Sequence, residues 1–299
     1  MYDDSDKPHA LVCTEIWGGN QKITRTVKMP NLAAWVASVP IKEGEGGGDL
    51  HYLSVCDYDL ISRVALADVS GHGNDVSAVT QTLRNLMRQN INVWDQSDFM
   101  RGINNAFRQN GNDKYATAIV LSFHRVTGRL AFSNAGHPAP LWYHAAQRAW
   151  SWLEEGTEAK KVPGLPVGLI SGTNYSQTVV TLKPSDILVL YTDGITEAEN
   201  ATGQELGREQ LLEWARQAPV ESARALGEAF LQRLEMFRDG LRADDETLLV
   251  LKREKESILF TLWELAGSFT IGRMLGSLRA RRSNLQGEQF MQRVRPDVS

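Results

Sequence analysis

Residues 65–78 read ALADVSGHGNDVSA. An apolar run carries one acid, Asp68, then gives way to small residues around His72, and helix-friendly sequence follows. A turn aspartate with glycines that make the bend accounts for the local pattern. The rest of the chain decides whether that is all it is.

Upstream lie β-rich runs at 33–41, 50–59 and 60–69, the last two joined almost without a break. Downstream of Gly73, the residues Val76, Val79, Leu83, Leu86 and Met87 fall at helical spacing, and Ser97 or Asp98 is placed to cap a second helix through Phe107. Strands resume at 115–124, 129–136 and 139–144, with a hairpin turn between the first two. Past the Gly/Pro loop VPGLPVGLI come strands in SQTVVTL and DILVLYTDG, helices at 207–217 and 220–238, and a last strand in DETLLVLKR. Strands arrive in blocks interrupted by paired helices. That order excludes a doubly wound parallel sheet and predicts an α+β architecture of antiparallel sheets flanked by helices.

With 299 residues, 42% of them hydrophobic, the chain fills a sizeable core. A formal charge of -4 gives no general attraction to nucleic acid or anionic lipid, so no nucleic-acid partner is expected. Cys13 and Cys56, the only cysteines, have neither a disulfide framework nor zinc spacing, as suits a reducing cytosol. The start, MYDDSDKPHA, lacks the marks of an export signal, and no run reaches the roughly 20 apolar residues that span a bilayer. A cytoplasmic protein is expected. Three parts are read: a lead segment 1–29, a domain 30–253, and a tail 254–299. In the tail, Ile258, Leu262, Leu265 and Phe269 form one helical stripe, with basic residues following. The 258–280 helix is expected to dock on its own domain, a second copy or a regulatory partner, with a membrane-surface helix or a frayed tail as the alternatives.

Asp49, Asp68, Asp193 and Asp244 each lie at an end of a predicted strand, beside glycine, another acid or a small polar residue. Adjacent antiparallel strands bring such ends together. Carboxylates packed that closely repel and raise one another's pKa, and a cation resolves the conflict. Oxygen-only ligands select hard ions, Mg²⁺ or Mn²⁺. Two such ions about 3.5–4 Å apart acidify a water and clamp phosphoryl oxygens in an in-line displacement. The chemistry implied is phosphate ester hydrolysis.

The blocks GGD (47–49), ADVSGHG (67–73), YATAIVLSF (115–123), FSNAGHPAPLWY (132–143), LVLYTDGITEAEN (188–200) and ADDETLLVLKR (243–253) together resemble the PPM-type metal-dependent serine/threonine protein phosphatases. The closest branch is that of the bacterial sporulation stage II protein E and the stress-response regulators. The resemblance covers roughly residues 30–253 and implies a four-layer sandwich, two antiparallel sheets with helices outside. It makes Asp68 the acid bridging two Mn²⁺ or Mg²⁺ ions, adds the carbonyl of Val69, gives Asp49 to one ion, and sets Asp193 and Asp244 on the other side. Gly194, Asp245 and Thr247 support that geometry. His72 either protonates the departing serine oxygen or orients phosphate, or only braces the glycine loop. His137 is read as a satisfied loop histidine, and His9, His51, His124 and His144 as structural. The branch acts on phosphoserine or phosphothreonine of anti-sigma-factor antagonist proteins, and its paired helices after DVSGHG, here about 74–109, act as a switch. The aromatic pair common after GGD is replaced here by Leu50, His51 and Tyr52. Rival readings are a metal-poor pseudophosphatase serving as a binding module, and a diguanylate cyclase, against which Leu50 stands where a second acid is needed.

Overall fold

The computed structural model describes residues 9–10, 15–19, 21–41, 47–56, 60–71, 74–90, 93, 95–110, 114–154, 164–238, 240 and 242–255. The chain divides into one compact unit, Met1–Arg253, and a second, Glu254–Ser299, of which only Glu254 and Lys255 are described. The 258–280 stripe therefore lies outside the described residues.

The strands are β1 (His9–Ala10), β2 (Glu15–Gly18), β3 (Ile23–Met29), β4 (Leu32–Val39), β5 (Asp49–Cys56) and β6 (Ile61–Val69), followed by helices α1 (Asn74–Asn90) and α2 (Gln96–Asn110). Then come β7 (Ala116–His124), β8 (Arg129–Ala135), β9 (Leu141–His144), β10 (Ala149–Trp152), β11 (Thr178–Thr181) and β12 (Ile187–Tyr191), helices α3 (Asp193–Thr196), α4 (Gly207–Gln217) and α5 (Ala223–Phe237), and β13 (Glu246–Arg253). They form a seven-stranded sheet, β1-β3-β4-β13-β12-β9-β10, and a six-stranded sheet, β11-β8-β7-β6-β5-β2. Every pairing is antiparallel except that of β1 with β3. The α+β class and the two antiparallel sheets flanked by helices are as the sequence predicts.

The layers follow from where apolar side chains point. β6 is apolar on both faces because both are covered: Val64 and Leu66 meet the other sheet, whereas Ala65, Ala67 and Val69 meet the helices. Val76, Val79, Leu83, Leu86 and Met87 of α1, with Phe99, Met100, Ile103 and Phe107 of α2, seal that outer face. On the other side, Leu211, Leu212, Leu226, Phe230 and Leu234 of α4 and α5 cover Trp35, Val189 and Val250. α5 lies close to its sheet at Gly227, where an added Cβ would stand 2.2 Å from Cε3 of the buried Trp35. Alanine for a helical glycine ordinarily gains about 1 kcal/mol. Here Gly227→Ala overpacks a closed seam, at a cost of about 1–3 kcal/mol. The expected result is a lower urea midpoint at unchanged m-value.

Several local expectations need correction. Glu15–Gly18 and Ile23–Met29, which the sequence reading left in the lead segment, are strands on β5 and β4. The strand expected over 139–144 starts only at Leu141, after Pro138 and Pro140, which have no N–H to give to a ladder. β10, which was not expected, folds back on β9 through a tight turn with Arg148 at φ 49. The strand in DILVLYTDG stops at Tyr191, and Asp193 opens the one-turn helix α3. The cap of α2 is neither Ser97 nor Asp98 but Asp95, whose Oδ1 accepts from the N–H groups of Ser97 at 2.8 Å and Asp98 at 3.1 Å.

Candidate active site

The register of β5 on β6 sets Asp49 directly opposite Asp68. Asp49 is only 1% exposed. Its Oδ2 accepts a 2.8 Å hydrogen bond from Thr192 Oγ1, whereas Oδ1 is buried and has no hydrogen-bond partner among the described residues. Thr192 is held in turn by the neighbouring sheet. Its N–H donates to the carbonyl of Thr247 at 3.1 Å, and the Thr247 N–H donates to Thr192 Oγ1 at 2.9 Å. The hydroxyls of Ser38 and Thr247 share a further 2.9 Å bond. A buried line of small hydroxyls thus ties Asp49, in one sheet, to β4, β12 and β13 in the other.

Asp244 and Asp245 differ although they are adjacent. Both oxygens of Asp245 accept backbone N–H groups, Ile41 at 2.7 Å and Gly48 at 2.5 Å, so this carboxylate braces the backbone that carries Asp49. Asp244 Oδ1 accepts the N–H of Asp245 at 2.8 Å. Gly194 lets α3 approach the same place: a Cβ there would lie 2.1 Å from the carbonyl of Asp245. Val69 donates its N–H to the carbonyl of Gly48 at 3.1 Å. A Cβ on Gly48 would meet the Val69 carbonyl at 2.8 Å, Asp68 Oδ1 at 3.3 Å and the Gly71 carbonyl at 3.4 Å. Three oxygens therefore converge on a residue without a side chain.

The electrostatics follow from that crowding. Burial, then the charges of Asp193, Asp244, Asp245 and Glu197, pushes the Asp68 carboxyl up to about 8. Burial and then Asp68 raise Asp49 well above the ordinary carboxylate range, against the hydroxyls of Thr247 and Thr192. Burial raises Asp193. Burial followed by Asp193, Glu205 and Asp244 raises Glu197. These acids are held together at the expense of their charged forms, and a divalent cation removes that conflict. Among the described residues, no three carboxylate, imidazole or thiolate groups already close into a ligand cage. The carboxylate and carbonyl oxygens present, the bare oxygen of Asp49 and the space at Gly48 nonetheless suit a hard ion.

Sequence reasoning missed Thr192 and Glu197. The one signal for either was its place within the TDGITE stretch. His72 lies outside the described residues. His137 is buried and held neutral, its pKa lowered to about 3 by burial, with Nδ1 2.9 Å from Thr117 Oγ1 and its N–H donating to Asn134 Oδ1. His124 and His144 bond Thr127 and Ser151. His51 is buried and has no hydrogen-bond partner on either nitrogen among the described residues, and burial and then Arg25 lower its pKa to about 4.

Two face-to-face antiparallel sheets between helical layers, with carboxylates gathered where the strands of both sheets end, have the architecture of a PP2C-type (PPM) phosphatase domain. Residues 62–254 match the family described as Stage II sporulation protein E (SpoIIE), and the chain belongs to it. It is 26% identical over 248 residues to the phosphoserine phosphatase RsbU of Bacillus subtilis, covering 80% of this chain and 70% of that protein. With the phosphoserine phosphatase RsbP of the same organism it is 24% identical, over 59% of this chain and 43% of the relative. The crystal structure of the RsbU and RsbW domains of Rv1364c from Mycobacterium tuberculosis shares the fold at a TM-score of 0.64 and 23% identity, over 80% of this chain and 64% of that one. The chain thus spans less than half of RsbP and under two thirds of the Mycobacterium structure.

Proposed function

We propose that this chain removes phosphate from phosphoserine or phosphothreonine of a regulatory protein, at a centre where Asp68 would be the shared holder of two Mn²⁺ or Mg²⁺ ions. Asp49 and the Val69 carbonyl would complete one side, and Asp193 and Asp244 the other. When bound, such ions supply an acidified water and neutralise charge on the phosphoryl oxygens. The protein's own groups do the rest. Thr192 fixes Asp49 against the second sheet, and Asp245 fixes the backbone of Gly48. Thr247 holds Thr192, and Gly194 permits the close approach of α3. His72 is the candidate to protonate the departing serine oxygen.

The observation that carries this reading is the register pair of Asp49 and Asp68, two interior carboxylates with raised proton affinity, one of which has an oxygen with no hydrogen-bond partner among the described residues. Buried acids of this kind stay ionised at neutral pH only with a cation between them. The names of the relatives RsbU and RsbP support phosphoserine as the substrate group, and the branch resemblance favours an anti-sigma-factor antagonist as the protein that bears it. Helices α1 and α2 are the proposed switch, set by a regulatory partner or a second copy through 258–280. Among the described residues no helix is long and apolar enough to cross a membrane.

The test is hydrolysis of p-nitrophenyl phosphate by the full chain. Turnover should require Mn²⁺ or Mg²⁺, stop on chelation and resume on metal addition, and be lost in Asp193→Ala. No turnover with either ion would overturn the reading in favour of a binding module.

A further inference from the structure

Five large apolar side chains are notably exposed among the described residues: Tyr115, Val126, Leu169, Ile170 and Met236. Three of them lie on two segments whose backbones adjoin. Ala116 and Val167 exchange backbone hydrogen bonds of 2.9 and 2.8 Å, which sets Tyr115, 41% exposed, beside the loop carrying Leu169 and Ile170, 39% and 51% exposed. A Cβ on Gly168 would lie 2.9 Å from the carbonyl of Lys114, so the two backbones touch. The rim is continuous with the acid cluster, because the Tyr115 carbonyl accepts the N–H of Ser70 at 2.9 Å, two residues after Asp68. Lys114 supplies the missing charge. Its Nζ lies 3.0 Å from where a Cβ on Gly71 would stand, and among the described residues it has no ion-pair or hydrogen-bond partner.

We propose that Tyr115, Leu169 and Ile170 form the docking rim for the apolar residues flanking the phosphoserine of a protein substrate, with Lys114 reaching over Gly71 to the phosphate. This rests on the phosphatase reading and names what that site takes besides phosphate. An acid cluster repels a phosphate dianion, and a cation at its lip offsets that repulsion. An apolar patch within a few residues of the reacting group is placed to read the adjoining side chains of an extended segment. The rim is also rigid where it must be. Asn104 of α2 donates to the Ile170 carbonyl at 3.0 Å and accepts the Gly168 N–H at 2.7 Å, and Arg108 donates to the Leu169 carbonyl at 2.9 Å. Helix α2 therefore sets the shape of the rim, and a shift of α2 would alter protein-substrate affinity.

The experiment compares two phosphoserine hexapeptides, one with leucine and one with glycine on both sides of the phosphoserine, using the full chain with Mn²⁺. The unsubstituted protein should favour the leucine peptide about tenfold or more in kcat/KM, and the Leu169→Ser/Ile170→Ser variant should lose that preference. Lys114→Ala should raise KM several-fold for both peptides and for p-nitrophenyl phosphate. No preference in the parent, or one that survives the double substitution, overturns the rim. An unchanged KM in Lys114→Ala overturns the phosphate contact. A parent dimer that becomes monomeric in the double variant would make the rim an interface between copies and overturn the proposal. Hydrolysis of p-nitrophenyl phosphate with no peptide discrimination fails the rim alone, whereas hydrolysis of none of the three compounds fails the phosphatase reading beneath it.

Discussion

Asp68→Asn should lower Mn²⁺-supported hydrolysis of p-nitrophenyl phosphate by about 10³-fold or more while making the metal-free protein more stable at neutral pH. The first effect follows because charge stabilisation by bound ions is worth several kcal/mol of barrier, at about 1.4 kcal/mol per decade of rate. The second follows from proton linkage. Burial and four neighbouring acids raise the folded-state pKa of Asp68 from an ordinary 3.8 to about 8. Between those two pH values the native chain holds a proton that the unfolded chain has released. Stability from this group is therefore full below the ordinary value and is lost as pH rises through the window, by up to about 1.4 kcal/mol per pH unit. Melting temperature without metal should fall as pH is raised from about 4 towards 8. Asn, which does not titrate, should flatten that slope without removing it, because Asp49 and Asp193 are raised as well. Mn²⁺ should raise the melting temperature of the parent, since it binds the folded state alone, and should do so much less in the variant. A variant equally destabilised at every pH and still stabilised by Mn²⁺ would mean that Asp68 is an ordinary strand residue.

The opposite signs of those two effects explain what could be read from the sequence. Strand-end aspartates flanked by glycine are locally expensive, and expense is visible in a string of letters: GGD, ADVSGHG, YTDG and ADDET each place an acid where a strand runs out. The two sheets were legible for a related reason, because β12 is apolar throughout and β6 carries the apolar run Val64–Ala67 up to Asp68. Other elements were not legible. β3 reads ITRTVKM, in which the half-buried Arg25 shares a face with Val27 and Met29 and so breaks the apolar alternation that marks a strand. β10 is four residues of AWSW, whose strand state depends on β9 beside it. The choice of Asp244 over Asp245 as ligand came from the resemblance alone, since the backbone N–H groups that face each carboxylate are not written in the sequence. His72, which the motif singles out, falls outside the described residues.

Thr192 shows the same limit at a single side chain, and its replacement should have the next largest effect. Before an Asp-Gly pair, a threonine looks like any other turn residue; its role exists only once β12 lies on β13 and β5 faces them. There its hydroxyl donates to Asp49 Oδ2 and accepts from the Thr247 N–H, so one small group satisfies partners from both sheets. Thr192→Val keeps the volume and the fully buried position but leaves the Thr247 N–H unbonded and removes the hydroxyl that donates to Asp49 Oδ2. Each orphaned polar group costs about 1–3 kcal/mol. Positioning partners behind a metal ligand are worth roughly 10–100-fold in metal affinity. The expected result is a Mn²⁺ dissociation constant 10–100-fold weaker by calorimetry, with kcat at saturating metal falling much less. Thr192→Ser, which restores the hydroxyl and deletes only a methyl, should recover the affinity and most of the stability. If Ser and Val behave alike, the methyl rather than the hydroxyl matters at this position, and Asp49 owes its orientation to the β5–β6 register instead.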